Sequence, residues 1–187
     1  MTTSTKPASQ PFSTATSDAH NLAMWASRDM GIYLHIPFCR KKCSYCDFAS
    51  YEGLEAYYDD YVDALIREMT LWAEAYPDST TAPVRSVYFG GGTPTQLSEA
   101  HWEKLFGALR SLYHIDDAAE ITTEANPGEI TRPYLQYLRQ LGINRISFGI
   151  QTFDEPSLAI LRRGHTAEEA VQAVTDAAAV GFPHLSG

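Results

Sequence analysis

An α/β fold with a parallel sheet is what this sequence predicts. Two observations carry that expectation. Short apolar runs alternate four times with longer stretches of helical period, and thiols, glycines and polar side chains gather directly after the runs.

Gly31 to Pro37 reads as a first strand, ended by its proline. A loop with three cysteines follows. Leu54 to Tyr76 reads as a long helix with Tyr58, Tyr61, Val62, Leu65, Ile66, Met69 and Ala73 on one face, and Pro77 stops it. Ser86 to Phe89 is a second strand running into Gly90-Gly91-Gly92. Ser98 caps a helix that buries Trp102, Leu105, Phe106, Leu109 and Leu112. Glu120 to Glu124 is a third strand. A helix opens at Thr131, with Pro133 in its first turn, and ends at Gly142. Arg145 to Ile150 is a fourth strand. Thr166 with Glu169 forms a capping-box pattern ahead of an Ala-rich helix that stops at Gly181. Parallel strands joined this way need right-handed crossovers, and such sheets bind ligands at the C-terminal ends of their strands.

The 187 residues suit one ordinary domain, and 44% apolar content suffices for its core. A formal charge of −9 argues against nucleic acid as a partner. No run of about 18 apolar residues exists, so no integral membrane segment is expected. The three cysteines fall within eight residues. An odd number packed so closely is no disulfide framework, and points to a reducing, cytoplasmic setting. Met1 to His20 is rich in Ser, Thr, Ala and Pro and lacks the apolar core of a signal peptide. Residues 1–30 are expected to be a disordered extension, and residues 31–187 the folded domain.

Cys39, Cys43 and Cys46 are spaced C-x3-C-x2-C. Three thiolates can hold three irons of a cubane and leave the fourth iron open, whereas ferredoxin-type clusters close every iron with four cysteines. Structural zinc with His35 as fourth ligand, or inert free thiols, are the alternatives. Gly90-Gly91-Gly92-Thr93-Pro94 lets backbone approach a ligand, or serves as a tight turn. It is not a Walker loop, because no Gly-Lys-Ser or Gly-Lys-Thr follows. Glu124 alone could be a solvated carboxylate, and Gln151 and Arg163 alone read as ordinary surface. His165 stands just before a helix start, close to the site or simply beside a cap. What joins these residues is position. The thiols follow strand one, the glycines strand two, Glu124 and Asn126 strand three, and Gln151 strand four, all on one rim.

With these companions the sequence resembles the radical S-adenosylmethionine (SAM) superfamily, in its oxygen-independent coproporphyrinogen III oxidase branch. The matching text is Tyr33-Leu-His-Ile-Pro-Phe-Cys39, Cys43-Ser-Tyr-Cys46-Asp-Phe48, Gly90-Gly-Gly-Thr-Pro-Thr95, Glu124-Ala-Asn-Pro127, Asn144-Arg-Ile-Ser-Phe-Gly-Ile-Gln151 and Arg162-Arg-Gly-His165. The resemblance implies a partial (β/α) barrel of about four β-α units out of about six. It implies that Cys39, Cys43 and Cys46 ligate a [4Fe–4S] cluster whose open iron is chelated by the amino and carboxylate groups of SAM. Tyr33 would line the SAM pocket, and Tyr45 would touch the adenine side. Gly91, Gly92 and Thr93 would meet the methionine amino group. Glu124 would counter the positive charge, and Gln151 and Arg163 would bind ribose hydroxyls or the carboxylate, the last suited to bidentate bonding. The implied chemistry is one-electron reduction of the sulfonium to a 5′-deoxyadenosyl radical.

Oxidases of this branch carry a further cysteine two residues after the third ligand, where this chain has Phe48. The Cys-Asp-Phe form resembles the oxidase-like heme chaperones, which bind heme as cargo and pass it to acceptor proteins. The alternative is the oxidase itself, which turns propionates into vinyl groups by radical decarboxylation. Heme or porphyrin is the implied partner, and neither the acceptor nor the electron donor can be read from these residues. The chain stops at Gly181-Phe-Pro-His-Leu-Ser-Gly187, where a fifth strand should begin. It is therefore expected to be a fragment, a truncated product or a chain completed by another.

Overall fold

A computed structural model describes residues 29–187. The disordered extension expected for residues 1–30 lies, up to residue 28, outside the described residues, and Met30 already belongs to the sheet.

Five strands form one sheet: β1 (Met30–Ile36), β2 (Val84–Gly91), β3 (Ile115–Ala125), β4 (Arg145–Phe148) and β5 (His184–Ser186). Their spatial order follows chain order, and every neighbouring pair is parallel. The helices are α1 (Tyr58–Ala75), α2 (Asp78–Thr81), α3 (Glu99–Leu112), α4 (Arg132–Leu141), α5 (Glu155–Ile160) and α6 (Ala167–Val180). Right-handed crossovers between consecutive neighbours put every connecting helix on the same face of the sheet.

That topology gives the sheet two unlike faces. The register places Leu34, Phe89, Thr123 and Ile146 abreast, all buried, on the helix side. Tyr33, Tyr88, Thr122 and Arg145 stand abreast on the other side. A parallel sheet covered on both faces would be apolar on both. Here the second face carries hydroxyls and charges, and it is the face that leads up to the site.

The helices follow from their sequence. α1 buries Val62, Met69 and Ala73 and packs Tyr58, Tyr61, Leu65 and Ile66 against the core. Tyr57 gives it no side-chain cap, so it begins after a single 3-10 turn at Glu55–Tyr57 instead of at Leu54. Ser98 caps α3, and the reciprocal partner is the ring of His101, not an acid. Thr166 and Glu169 form the capping box of α6. Gly142 and Gly181 close α4 and α6 with φ of 117° and 91°, which only glycine adopts at little cost.

Three features depart from the expected pattern. A fifth strand does form, with His184–Ser186 pairing along Arg145–Ser147 of β4. β4 stops at Phe148 and not at Ile150, because two consecutive three-residue turns bend the chain. The Ile150 N–H bonds the Phe148 carbonyl, and the Thr152 N–H bonds the Ile150 carbonyl. α5 was not legible, although Asp154 caps it by accepting from the Ser157 N–H.

Trp102, the largest fully buried side chain among the described residues, has an indole N–H that needs a partner. It donates to the Tyr134 hydroxyl at 2.6 Å, and that hydroxyl donates to the Leu97 carbonyl. Burial pushes the Tyr134 phenol well above its ordinary pKa, so it stays a donor. Tyr134→Phe leaves a donor and an acceptor unpaired in the core. Its expected cost is about 1–3 kcal/mol, read as a lower urea midpoint at unchanged slope.

Candidate functional site

The loop after β1 is built to hold its cysteines in place. Its two ends are pinned together, with the Cys39 N–H on the Tyr51 carbonyl at 2.9 Å and the Tyr51 N–H on the Pro37 carbonyl at 2.7 Å. Inside the loop, Lys42 Nζ donates to the Phe48 and Ser50 carbonyls, and the Lys42 N–H donates to Glu52. Cys39 is buried, while Cys43 and Cys46 are half-buried. Burial raises the Cys39 thiol pKa, and the hydroxyls of Thr93 and Ser50 oppose this.

The glycine loop after β2 lies directly against the cysteine loop. The Gly92 N–H bonds the Ile36 carbonyl at 2.8 Å, and the Thr93 N–H bonds the Phe38 carbonyl at 2.7 Å. A Cβ on Gly92 would fall 2.5 Å from the Phe38 carbonyl oxygen, and one on Gly91 would fall 2.5 Å from the His35 ring. Gly91 also has φ of 117°. Gly92 therefore lets one loop backbone touch another, and Gly91 leaves room for the His35 ring, beside whatever ligand the loops hold.

At the C-terminal ends of the strands lies a cleft of about 240 Å³. Its walls bring together Cys39, Cys43, Tyr45, Cys46, Gly91, Gly92, Thr93, Glu124, Gln151 and Arg163, all expected there. Tyr33 is not among the lining residues. It lies 57% exposed on the polar sheet face, stacked on Tyr88. Residues not singled out beforehand also line the cleft, among them Lys41, Ser147, Phe148 and Gly149, and so does Asn126, which the sequence had placed at the end of strand three. Asn126 sits within the Asn-Pro text after strand three. Ser147 follows from alternation, since it pairs with Glu124 across the sheet.

The Glu124 carboxylate is held from two sides, by the Tyr88 hydroxyl at 2.7 Å and the Gly91 N–H at 3.1 Å. Burial and then this carboxylate push the Tyr88 phenol up, so it remains a donor. Gln151 occupies the left-handed region at φ of 67°, a cost a non-glycine residue bears rarely and mostly at functional positions. Arg163 donates through Nη1 to Cys43 Sγ at 2.9 Å, and through Nη2 to Asn126 Oδ1 and the Gly149 carbonyl. Its Nε is buried with no partner among the described residues.

The donors on this wall fit an iron–sulfur cluster better than zinc. His35, the only fourth zinc ligand the sequence offered, has both ring nitrogens engaged. The Ala49 carbonyl can only accept, so Nε2 donates to it at 2.8 Å and Nδ1 accepts from the Tyr33 hydroxyl at 2.9 Å. A cubane spreads its thiolates over three corners. The unpaired Arg163 Nε–H and the held Glu124 carboxylate suit a ligand with both an anionic and a cationic end.

The chain belongs to the radical SAM superfamily, whose family model matches residues 33–187. It is similar to the heme chaperone HemW of Bacillus subtilis (strain 168), at 37% identity over 157 residues, 82% of this chain and 40% of that protein. HemW of Escherichia coli (strain K12) is 38% identical over 155 residues, again 82% of this chain and 40% of the relative. The oxygen-independent coproporphyrinogen III oxidase of Salmonella typhimurium is 33% identical over 162 residues, 86% of this chain and 35% of the enzyme. Among solved structures, the coproporphyrinogen III oxidase HemN of Escherichia coli, a radical SAM enzyme, superimposes with a TM-score of 0.81 at 32% identity. That match covers 89% of this chain and 38% of HemN. The chain thus spans less than half the length of these relatives. No helix among the described residues is long and apolar enough to cross a membrane.

His165 is not among the residues lining the cleft; it is 6% exposed, with neither ring nitrogen hydrogen-bonded among the described residues. Burial, and then Arg163, lower its pKa below the ordinary 6.5, while the Ile150 backbone, Glu169 and Glu155 oppose this. The unfolded chain therefore takes up a proton at higher pH than the folded one. The associated stability is present above pH 6.5 and is lost as pH falls through that value towards the folded pKa. Urea unfolding between about pH 7 and pH 5.5 is expected to show this decline, and His165→Leu to flatten it.

Proposed function

We propose that this chain is the cluster- and SAM-binding part of a protein that carries heme to acceptor proteins. In this reading Cys39, Cys43 and Cys46 hold a [4Fe–4S] cluster, and SAM lies in the adjoining cleft. When bound, the pair supplies one-electron reduction of a sulfonium.

The residues of the chain then have distinct tasks. Gly91 and Gly92 bring the second loop close to the thiols, and Thr93 offers its hydroxyl there. Glu124 places a negative charge opposite the sulfonium, fixed in direction by Tyr88 and Gly91. Gln151 and the unpaired Nε–H of Arg163 offer donors to the ribose and carboxylate. Tyr45, 46% exposed, covers the adenine side. Tyr33 acts at one remove, through its stacking on Tyr88 and its bond to His35.

The observation that carries the choice of chaperone is Phe48. It stands 68% exposed in the cleft wall, at the position where the oxidase pattern has a cysteine. The similarity to chaperones named HemW supports the same reading. The oxidase reading has support of its own, from the superposition on HemN and the Salmonella relative. The two differ in demand. Decarboxylation needs a substrate carbon held beside the radical carbon, whereas carriage needs a heme surface with controlled release.

Anaerobic loading with iron and sulfide is expected to give a brown, oxygen-sensitive chain with roughly four irons. Cys43→Ala is expected to lose it, because two thiolates do not hold a cubane. Stoichiometric zinc without iron uptake in the folded chain would overturn the cluster. On the whole protein that carries this chain, heme is expected to stay bound through gel filtration at one per protein. Coproporphyrinogen III is expected to remain unconverted by the reduced, SAM-loaded protein, with an authentic oxidase as positive control. Many turnovers to protoporphyrinogen, lost in Cys39→Ala, would make the oxidase the correct assignment.

A further inference from the structure

Two of the three thiols are joined by a continuous run of hydrogen bonds across the strand ends. Arg163 Nη1 donates to Cys43 Sγ at 2.9 Å, and Nη2 donates to Asn126 Oδ1 at 2.5 Å. Asn126 Nδ2 donates to Thr93 Oγ1 at 3.0 Å. Thr93 Oγ1 then donates to Cys39 Sγ at 3.8 Å. Donors and acceptors alternate without conflict, so the amide of Asn126 has one orientation only. The second bond of Nη2, to the Gly149 carbonyl, ties the same guanidinium to the end of β4.

We infer that Arg163, working with Asn126 and Thr93, is the positioning residue of the cluster loop, and that Gly149 lacks a side chain so that this clasp can close. The inference rests on the cluster reading above and goes beyond it. A binding role for Arg163 needs only its reach into the cleft. The clasp adds N–H and O–H donors aimed at two ligand sulfurs. Such donors favour the extra negative charge of a reduced cluster and fix the thiolates in direction. Gly149 supplies an independent observation. A Cβ there would fall 2.8 Å from Arg163 Nη2 and 3.0 Å from Asn126 Oδ1, which are the two atoms of the central bond. Its φ is not in the left-handed region, so alanine would strain the clasp and not the backbone.

The experiment loads iron and sulfide into the chain without SAM and measures three quantities. They are the midpoint potential by redox-mediated electron paramagnetic resonance, the rate of iron loss to a chelator, and the far-ultraviolet dichroism. Arg163→Met keeps the stem and removes the donors. It is expected to lower the potential and speed iron loss roughly tenfold, with dichroism unchanged. Gly149→Ala, which leaves the charge in place, is expected to move both readouts in the same direction. Arg163→Lys, with one donor head in place of a fork, is expected to fall between wild type and Arg163→Met. Arg162→Met removes the same charge one residue away and is expected to change neither readout appreciably. Wild-type values in both Arg163→Met and Gly149→Ala would overturn the clasp while leaving the cluster standing. An equal shift in Arg162→Met would reduce the effect to bulk charge and overturn it too. Failure of the wild-type chain to take up any cluster would overturn the cluster reading and the clasp together.

Discussion

The rest of the site depends on one contact, that of the Gly92–Thr93 backbone against the Ile36–Phe38 backbone. The parallel ladder of β1 and β2 runs to the pair Ile36 and Gly91, where strands normally part. Here two further backbone bonds continue it, from Gly92 to Ile36 and from Thr93 to Phe38. Cys39 follows Phe38 directly, so the first thiol is fixed by sheet geometry, which is far more rigid than a loop. Thr93, brought in by the same contact, aims its hydroxyl at that thiol. No side chain fits between the two backbones, because a Cβ on Gly92 would overlap the Phe38 carbonyl.

A second constraint is the inequality of the sheet faces. One face is apolar and covered by helices, which carries the stability of the domain. The other is free to hold Tyr33, His35, Tyr88 and Glu124. These four are linked in pairs, Tyr33 with His35 and Tyr88 with Glu124, and the two tyrosine rings stack. A carboxylate in such a setting costs little, because two donors already meet it. The site can thus present a fixed negative charge without first reorganising.

Much of this was legible in the sequence, and the parts that were not share a cause. Strands and helices followed from apolar period and from caps at Ser98, Thr166, Gly142 and Gly181, since those signals are local. The gathering of Cys39, Gly92, Glu124 and Gln151 followed from topology, since parallel strands share a C-terminal rim. The two turns that end β4 early were hidden, because Gln151 signals nothing by type and a lone Gly149 inside an apolar run fits a strand as well as a turn. The left-handed backbone of Gln151 went unseen for the same reason, whereas α5 went unseen although Asp154 and Pro156 mark its start, because it is only six residues long. Tyr33 was placed on the cleft by resemblance, but alternation sets it on the sheet face below, three residues before Ile36, where the ladder meets the glycines. The tie between Cys43 and Arg163 spans 120 positions and left no trace in spacing. The role of Gly92 was only half legible. Its missing side chain was evident, but what comes close to it is the neighbouring loop.

That long tie also bears on how the domain is made. Strand order follows chain order, so each β-α unit can settle on the one before it as it leaves the ribosome. The cysteine loop and the glycine loop come out early and can join at once. Arg163 comes 120 residues behind Cys43, a delay on the order of ten seconds at usual rates of synthesis. During that interval Cys43 and Cys46 lie on a nascent chain with the guanidinium still unmade. Adventitious metals and oxidants have their easiest access to Cys43 then, before a residue of the fourth loop meets its sulfur.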